Sequence, residues 1–425
     1  MSSRPASGGN ADVEAGPASN SKEEKHPVRH GLLPVGQRVM RLTWSWFPCT
    51  MSTGAMSSLF SQQPFKFDGI VTIGKIFFIV DLVLFVLFTA MIIARFCMKP
   101  NAITRSLHHP TESFFFGAFW VSVALILYGM QVYGVPSCGP WLVKAMEVLF
   151  WMYVALETLV AIFQYHVIFD VENLLVSEAM PAWILPAYPY LVTGPLASAI
   201  AKTQPPGSAL RILIAGITCQ GAGWAIAFII YTIFLTRLMN SNMPAPSSKP
   251  GMYISVGPTG YTAAALVTLG TQAQKVVPPN YLSITSVPTG DIWKAFSVPC
   301  AIFLWLIAFW FCGLTTVSIL RTVRHMSFSL QWWAFIFPNA GLAIATIQIG
   351  NALDSDGIRG VGSALTVILV ALWLMVAGAH LKAVWSHQVL SPGKDEGVDD
   401  VNNHTHNHSH PGHHDHHVNE KQRED

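Results

Sequence analysis

The sequence predicts an all-α integral membrane protein, in which ten transmembrane helices form five helical hairpins and the kinked inner helices surround a central pore. Three observations predict it. Of the 425 residues, 52% are hydrophobic and 11% are charged, whereas soluble domains carry about 25% charged residues. The charges cluster at the two ends and in short stretches between apolar runs, and those runs reach the roughly 20 residues that cross a bilayer core. The runs also alternate in kind. Long ones rich in Leu, Ile, Phe and Trp follow shorter ones in which proline is surrounded by small and hydroxyl residues.

Residues 1–42 are polar and are read as a disordered cytoplasmic segment. They hold no short apolar core followed by a small-residue cleavage site, so the first membrane helix is expected to direct insertion itself. The transmembrane domain is expected to cover 43–385. Its first span, 43–61, carries Pro48 and then Cys49-Thr50-Met51-Ser52-Thr53-Gly54. The second, 70–96, runs apolar from Phe77 to Phe88 except for Asp81. The third, 112–134, is the odd-numbered span without proline, and the fourth, 140–169, holds Glu147 and Glu157. Pro186, Pro189 and Pro195 lie in the fifth, 181–201, together with Thr193-Gly194. The sixth, 208–239, is long and apolar. The seventh, 251–274, contains Gly257-Pro258-Thr259-Gly260, and the eighth, 291–321, is apolar from Ala301 to Phe311, with Pro299 an exception among the even spans. The ninth, 330–350, brings aromatics to a proline in Trp332-Trp333-Ala334-Phe335-Ile336-Phe337-Pro338-Asn339-Ala340-Gly341. The tenth covers 358–385, and residues 386–425 are read as a disordered, cytoplasmic, His-rich tail.

Proline removes a backbone donor and frees a carbonyl, which hydrocarbon tolerates only where protein, hydroxyls or water satisfy it. The odd-numbered spans are therefore expected inside, ringed by the straighter even ones. Close packing of small-residue helices accounts for the same pattern without a path. Basic residues divide unequally between the two ends of the spans. Arg38, Arg41, Arg95, Lys99, Arg105, Arg237, Lys249, Arg321, Arg324 and Lys382 fall at one end, and Lys66, Lys75, Lys144, Lys202, Arg211, Lys275, Lys294 and Arg359 at the other. The positive-inside rule then places both termini in the cytoplasm.

No basic residue lies in the middle of an odd-numbered span, so a path there holds an anion with helix dipoles, hydroxyls and amides. That suits conduction, which needs binding strong enough for entry and weak enough for exit. Phe337 beside the Pro338 kink either closes the path as a hydrophobic constriction or is an ordinary packing residue, while Asn339 and Gln348 offer polar contacts. The acids inside the spans, Asp81, Glu147 and Glu157, are candidates for function, but all lie on even spans, where a bond to a neighbouring helix or a permanently neutral carboxyl serves as well. Six cysteines, Cys49, Cys97, Cys138, Cys219, Cys300 and Cys312, occur singly, without the spacing of a disulfide or thiolate site.

The tail carries His404, His406, His408 and His410, weak candidates for a divalent metal. Its Asn, Gly, Pro and Asp content favours disorder, so no metal site is assigned. Asn403 and Asn407 begin formal glycosylation sequons, which a cytoplasmic tail leaves unmodified. Outside the tail, His108, His109, His166, His325, His380 and His387 are too few and too scattered for the histidine boxes of a membrane oxygenase. No nucleotide loop or nucleophile motif is present, so neither an enzyme, a cofactor nor a nucleic-acid partner is expected. A metal-dependent membrane enzyme or sensor built on the histidines is the rival from another class.

Several motifs resemble the tellurite-resistance/dicarboxylate transporter family, whose members are slow-anion-channel-like, and within it the fungal malate permeases. They are Thr43-Trp44-Ser45-Trp46-Phe47, Pro181-Ala182-Trp183-Ile184-Leu185-Pro186, Pro250-Gly251-Met252 with Val256-Gly257-Pro258, Trp333-Ala334-Phe335-Ile336-Phe337-Pro338-Asn339, and Pro392-Gly393-Lys394-Asp395-Glu396. The resemblance implies five hairpins around a pore occluded by a phenylalanine, matched here by Phe337. It implies a multi-pass plasma-membrane permease for malate, succinate and related dicarboxylates, with a homo-trimer as the assembly to test. Sulfite or other small-anion efflux is the alternative within the family, because sulfite pumps share the Thr-Trp-Ser-Trp-Phe opening. Ser52, Thr53, Thr193, Thr259, Asn339 and Gln348 are the candidate substrate contacts. The histidine-rich stretch after Glu396 lies outside the family pattern and is expected to be dispensable for transport.

Overall fold

A computed structural model describes residues 35–109, 111–171 and 174–390; the tail histidines His404, His406, His408 and His410 lie outside the described residues. Among those described, the regular structure is helical, with no strand. Ten long helices follow one another: α1 Phe47–Ser61, α2 Ile70–Met98, α3 Phe116–Gly129, α4 Pro140–Val171 and α5 Tyr188–Ala201, then α6 Pro206–Asn240, α7 Val256–Val276, α8 Thr289–Leu320, α9 Phe337–Ala352 and α10 Asp356–Trp385. Short helices Val35–Val39 and Ala102–Leu107 lie outside this series.

Eight of the helical stretches are long and apolar enough to cross a membrane. The α1 and α7 stretches are not among them. Their Ser, Thr, Gly and Gln residues lower their hydropathy, but both are almost wholly buried by their neighbours. Burial follows the alternation expected from sequence. In the most apolar part of each candidate span, 17% to 39% of residues are buried in the α2, α4, α6, α8 and α10 stretches, against 61%, 94% and 89% in those of α3, α5 and α9. The even helices instead expose apolar side chains such as Val83, Phe163, Phe228, Phe303 and Val367, the surface that lipid covers.

Each odd-numbered helix is entered through a tight 3-10 segment: Trp44–Trp46, Ser113–Phe115, Pro181–Ala187, Lys249–Ser255 and Leu330–Phe335. Pro48, Pro189, Pro258 and Pro338 fall in the first turn of the α-helix that follows. They mark the junction between the two helical forms, where a missing N–H is best tolerated, more than a kink in mid-helix; Pro195 in α5 is an interior proline.

The odd helices touch in a closed order: α1 packs on α3, α3 on α5, α5 on α7, α7 on α9, and α9 back on α1. Where α7 crosses α9, a Cβ on Gly260 would lie 2.8 Å from the Leu342 amide nitrogen, and one on Gly341 would lie 2.6 Å from the Tyr261 ring. Without hydrophobic drive between helices in lipid, such close backbone approach supplies the packing that holds them. It also presses Tyr261 towards the start of α9.

The end of the bundle where α1 begins carries Arg38, Arg95, Arg237 and Lys249, each bonded to a carbonyl of a neighbouring segment: Val384, Leu42, Ala179 and Ser318, respectively. At the same end Arg95 and Glu112 form a buried ion pair of 2.6 Å, and the Ser106 hydroxyl donates to the same carboxylate.

Candidate functional site

The geometry at the centre starts from proline. Pro258 has no N–H to offer the carbonyl four residues back, that of Ile254. The Tyr188 hydroxyl, at the start of α5, donates to it instead. Next to it, the Tyr231 hydroxyl donates to the Ser255 carbonyl at 2.6 Å. With its hydroxyl so held, the Tyr188 ring lies against Phe337, the first residue of α9, with centroids 5.9 Å apart. On its other side Phe337 stacks on Tyr261, with centroids 4.7 Å apart and ring planes inclined by 23°. The Phe337 side chain is fully buried.

Cavities approach this cluster from both ends. One, of about 400 Å³, opens at the end where α1 and α5 finish, and its walls include Gln62, Ser198, Lys202, Thr268, Lys294 and Gln348. A narrow extension lined by Ala124, Leu125, Val192 and Ile344 continues it to Tyr261. From the end where α1 begins, a cavity of about 360 Å³ is lined by Ser45, Thr111, Trp183, Glu178 and Gln331. A small apolar recess between Met51, Leu185 and Pro338 carries it to Tyr188. Tyr188, Phe337 and Tyr261 thus lie between two cavities.

The two cavities differ electrically. The first has two lysines in its wall and no acidic residue among those lining it. The second has Glu178 and no lysine or arginine. Burial pushes the Lys202 ammonium pKa below its ordinary value, and the nearby Lys275 charge adds to the effect.

Of the six residues singled out in the sequence as contacts, Gln348 lines a cavity and donates to Gln62 Oε1 at 2.9 Å. The other five are not among the lining residues of these cavities, and each donates a hydrogen bond within the protein, although the buried Asn339 Oδ1 has no partner. Ser52 donates to the Trp333 carbonyl at 3.0 Å, and Thr53 donates to the Cys49 carbonyl at 2.8 Å while accepting from Trp373 Nε1. Thr193 donates to Glu157 Oε2 at 2.7 Å, Thr259 to the Val256 carbonyl, and Asn339 Nδ2 to the Phe335 carbonyl. Glu157 is therefore tied to the neighbouring helix, whereas neither carboxyl oxygen of the fully buried Asp81 has a hydrogen-bond partner. Glu147 sits 4.0 Å from Arg211 at the bundle surface. Tyr188, Tyr261, Lys202 and Lys294 were missed as site residues. The lysines read as flanking charges because they stand at span ends, and only tertiary packing turns them into the cavity.

Residues 41–381 match the family described as voltage-dependent anion channel (SLAC1). The chain belongs to that family. It is similar to the malic acid transport protein of Schizosaccharomyces pombe, with 32% identity over 372 residues, 87% of this chain and 84% of that protein. Similarity extends to a sulfite efflux pump of Arthroderma benhamiae, at 26% identity over 335 residues covering 78% of this chain and 88% of the pump. It reaches an uncharacterized transporter of Methanocaldococcus jannaschii, at 24% identity over 358 residues, 81% of this chain and 95% of the other. Family membership and apolar helices together make this a multi-pass membrane protein of the anion-channel type.

Proposed function

We propose that the protein carries malate, succinate and related dicarboxylate anions across the plasma membrane along the axis enclosed by α1, α3, α5, α7 and α9. All ten long helices cross the bilayer in this reading, as five hairpins, and both termini are cytoplasmic. Phe337 closes the path. The observation that carries the reading is the position of the Phe337 ring between two cavities, held by Tyr188 and Tyr261. A ring there bars an anion because passage would strip its water against apolar surface, and rotating one side chain reopens the way. Gln348 is the sequence-predicted contact best placed to meet the anion. The α1 and α7 helices, too polar to cross alone, are stable inside a ring whose outer helices meet the lipid.

The dicarboxylate class is favoured because the relative at 32% identity over most of both chains is a malic acid transport protein. A second reading, sulfite efflux, is favoured by the 26% identity to the sulfite efflux pump. The gate is tested by membrane current. Phe337→Ala is expected to raise anion conductance with surface expression unchanged, and unaltered current at normal expression would remove Phe337 from the role.

A further inference from the structure

We propose that Lys202 and Lys294 form a capture site for dianions in the cavity at the bundle end where α1 and α5 finish, and that they set the preference for two carboxylates over one. The proposal rests on the transport reading above and assigns its specificity to two residues.

Both side chains line the same cavity of about 400 Å³ but come from different walls. Lys202 immediately follows α5, and Lys294 stands in the second turn of α8. An outer-helix residue reaches this cavity because α8 packs closely along α7, with Ser297 against Gly270. Neither ammonium is neutralised. Among the described residues Lys202 has no ion pair or side-chain hydrogen bond, and Lys294 Nζ donates at 3.1 Å to the neutral Gln274 Oε1. Gln274 donates in turn to Asp291 Oδ1 at 2.7 Å, so an amide stands between the ammonium and the nearest carboxylate of that network.

The rest of the wall is neutral and rich in donors, with Gln62, Gln272, Gln348 and Asn351 beside hydroxyls. Amides complete the shell of an anion without trapping it, and a pair of compact ammonium charges supplies the attraction. The opposite cavity has no cation in its wall and one carboxylate, Glu178. The attraction therefore acts from one end of the path.

The energy of an ion in a given potential is proportional to its charge. A change that weakens monoanion capture by a given factor weakens dianion capture by the square of that factor. Low-dielectric clefts lined by one sign of charge raise local counter-ion concentration by about tenfold or more, so removing one lysine is expected to cost malate roughly tenfold and a monocarboxylate roughly threefold.

The test uses the full-length protein in excised membrane patches, with malate or lactate applied to one face at a time. Lys202→Gln and Lys294→Gln are each expected to raise half-saturation for malate about tenfold and for lactate about threefold at the lysine-bearing face. Half-saturation at the other face should stay unchanged, and Lys202→Arg and Lys294→Arg should restore capture. Unchanged malate half-saturation in the glutamine variants, equal losses for both anions, or equal losses at both faces would overturn the proposal, the last two marking a structural effect. Wild-type protein that carries no malate at all would instead overturn the transport reading, and the dianion site with it.

Discussion

The Tyr261 hydroxyl donates to the backbone carbonyl of Phe337 at 3.2 Å while the rings of the same two residues stack 4.7 Å apart. One tyrosine thereby holds both the backbone and the side chain of the residue at the junction of the two cavities. Tyr261→Phe removes the bond and keeps the stack. With a typical net hydrogen bond contributing about 1 kcal/mol, basal anion current is expected to rise about fivefold or less, whereas Tyr261→Ala frees the ring and should give a current comparable to Phe337→Ala. The comparison of the three variants at matched surface expression checks it.

The Tyr188 bond to the Ile254 carbonyl compensates for the donor that Pro258 lacks. Tyr188→Phe leaves that carbonyl buried without its tyrosine partner and is expected to destabilise the protein by about 1–3 kcal/mol. Pro258→Ala restores a backbone donor at the same carbonyl, so the double variant should recover much of the loss. Thermal unfolding of the purified protein in detergent reads the coupling, and strict additivity of the two changes would refute the compensation.

Arg95 and Glu112 are buried together, and Ser106 and the Leu42 carbonyl complete their bonds. Removing one partner of such a pair strands the other charge, at a cost of about 3–5 kcal/mol. Arg95→Ala is expected to reduce folded protein sharply, as measured by detergent-resistant monomer or surface abundance. Joint replacement of Arg95 and Glu112 by apolar residues of similar volume should cost much less than the single change.

Malate capture at the lysine-bearing face should weaken with alkaline pH. The Lys202 ammonium pKa is lowered, by burial and then by Lys275, so its charge is full at low pH and is lost as pH rises through a value below the ordinary lysine pKa of about 10.4. Lys275, Lys294, Asp291 and Tyr128 are the other titratable groups nearby. Half-saturation measured against pH should bend upward earlier in wild type than in Lys202→Arg. Coincident profiles would separate Lys202 from the pH response.

The helices and their burial were legible in the sequence because hydropathy and proline report directly on local structure and on which surfaces meet lipid. Apolar runs placed α2 and α10, and hydroxyl-rich, proline-bearing runs marked α1, α5, α7 and α9 as buried. The detail of the centre was not legible. A serine or threonine in an apolar run reads as pore-lining whether its hydroxyl points to an axis or to a carbonyl; Thr53 and Thr259 point to carbonyls one turn back, and Ser52 to that of Trp333. Lys294 was hidden for the opposite reason, since a charge near a helix start reads as a flank until α7 and α8 are packed together. Phe337 stood out through Pro338, yet its partners Tyr188 and Tyr261 come from helices more than 70 residues away in the chain, a relationship only the fold creates.

The central claim is transport of dicarboxylates. Purified protein in liposomes, offered labelled malate, succinate and sulfite separately at several pH values with zinc or with a chelator, tests it most directly. Malate and succinate should enter with or without the metal, and faster through Phe337→Ala. Selective sulfite flux, or flux that requires zinc, would contradict it.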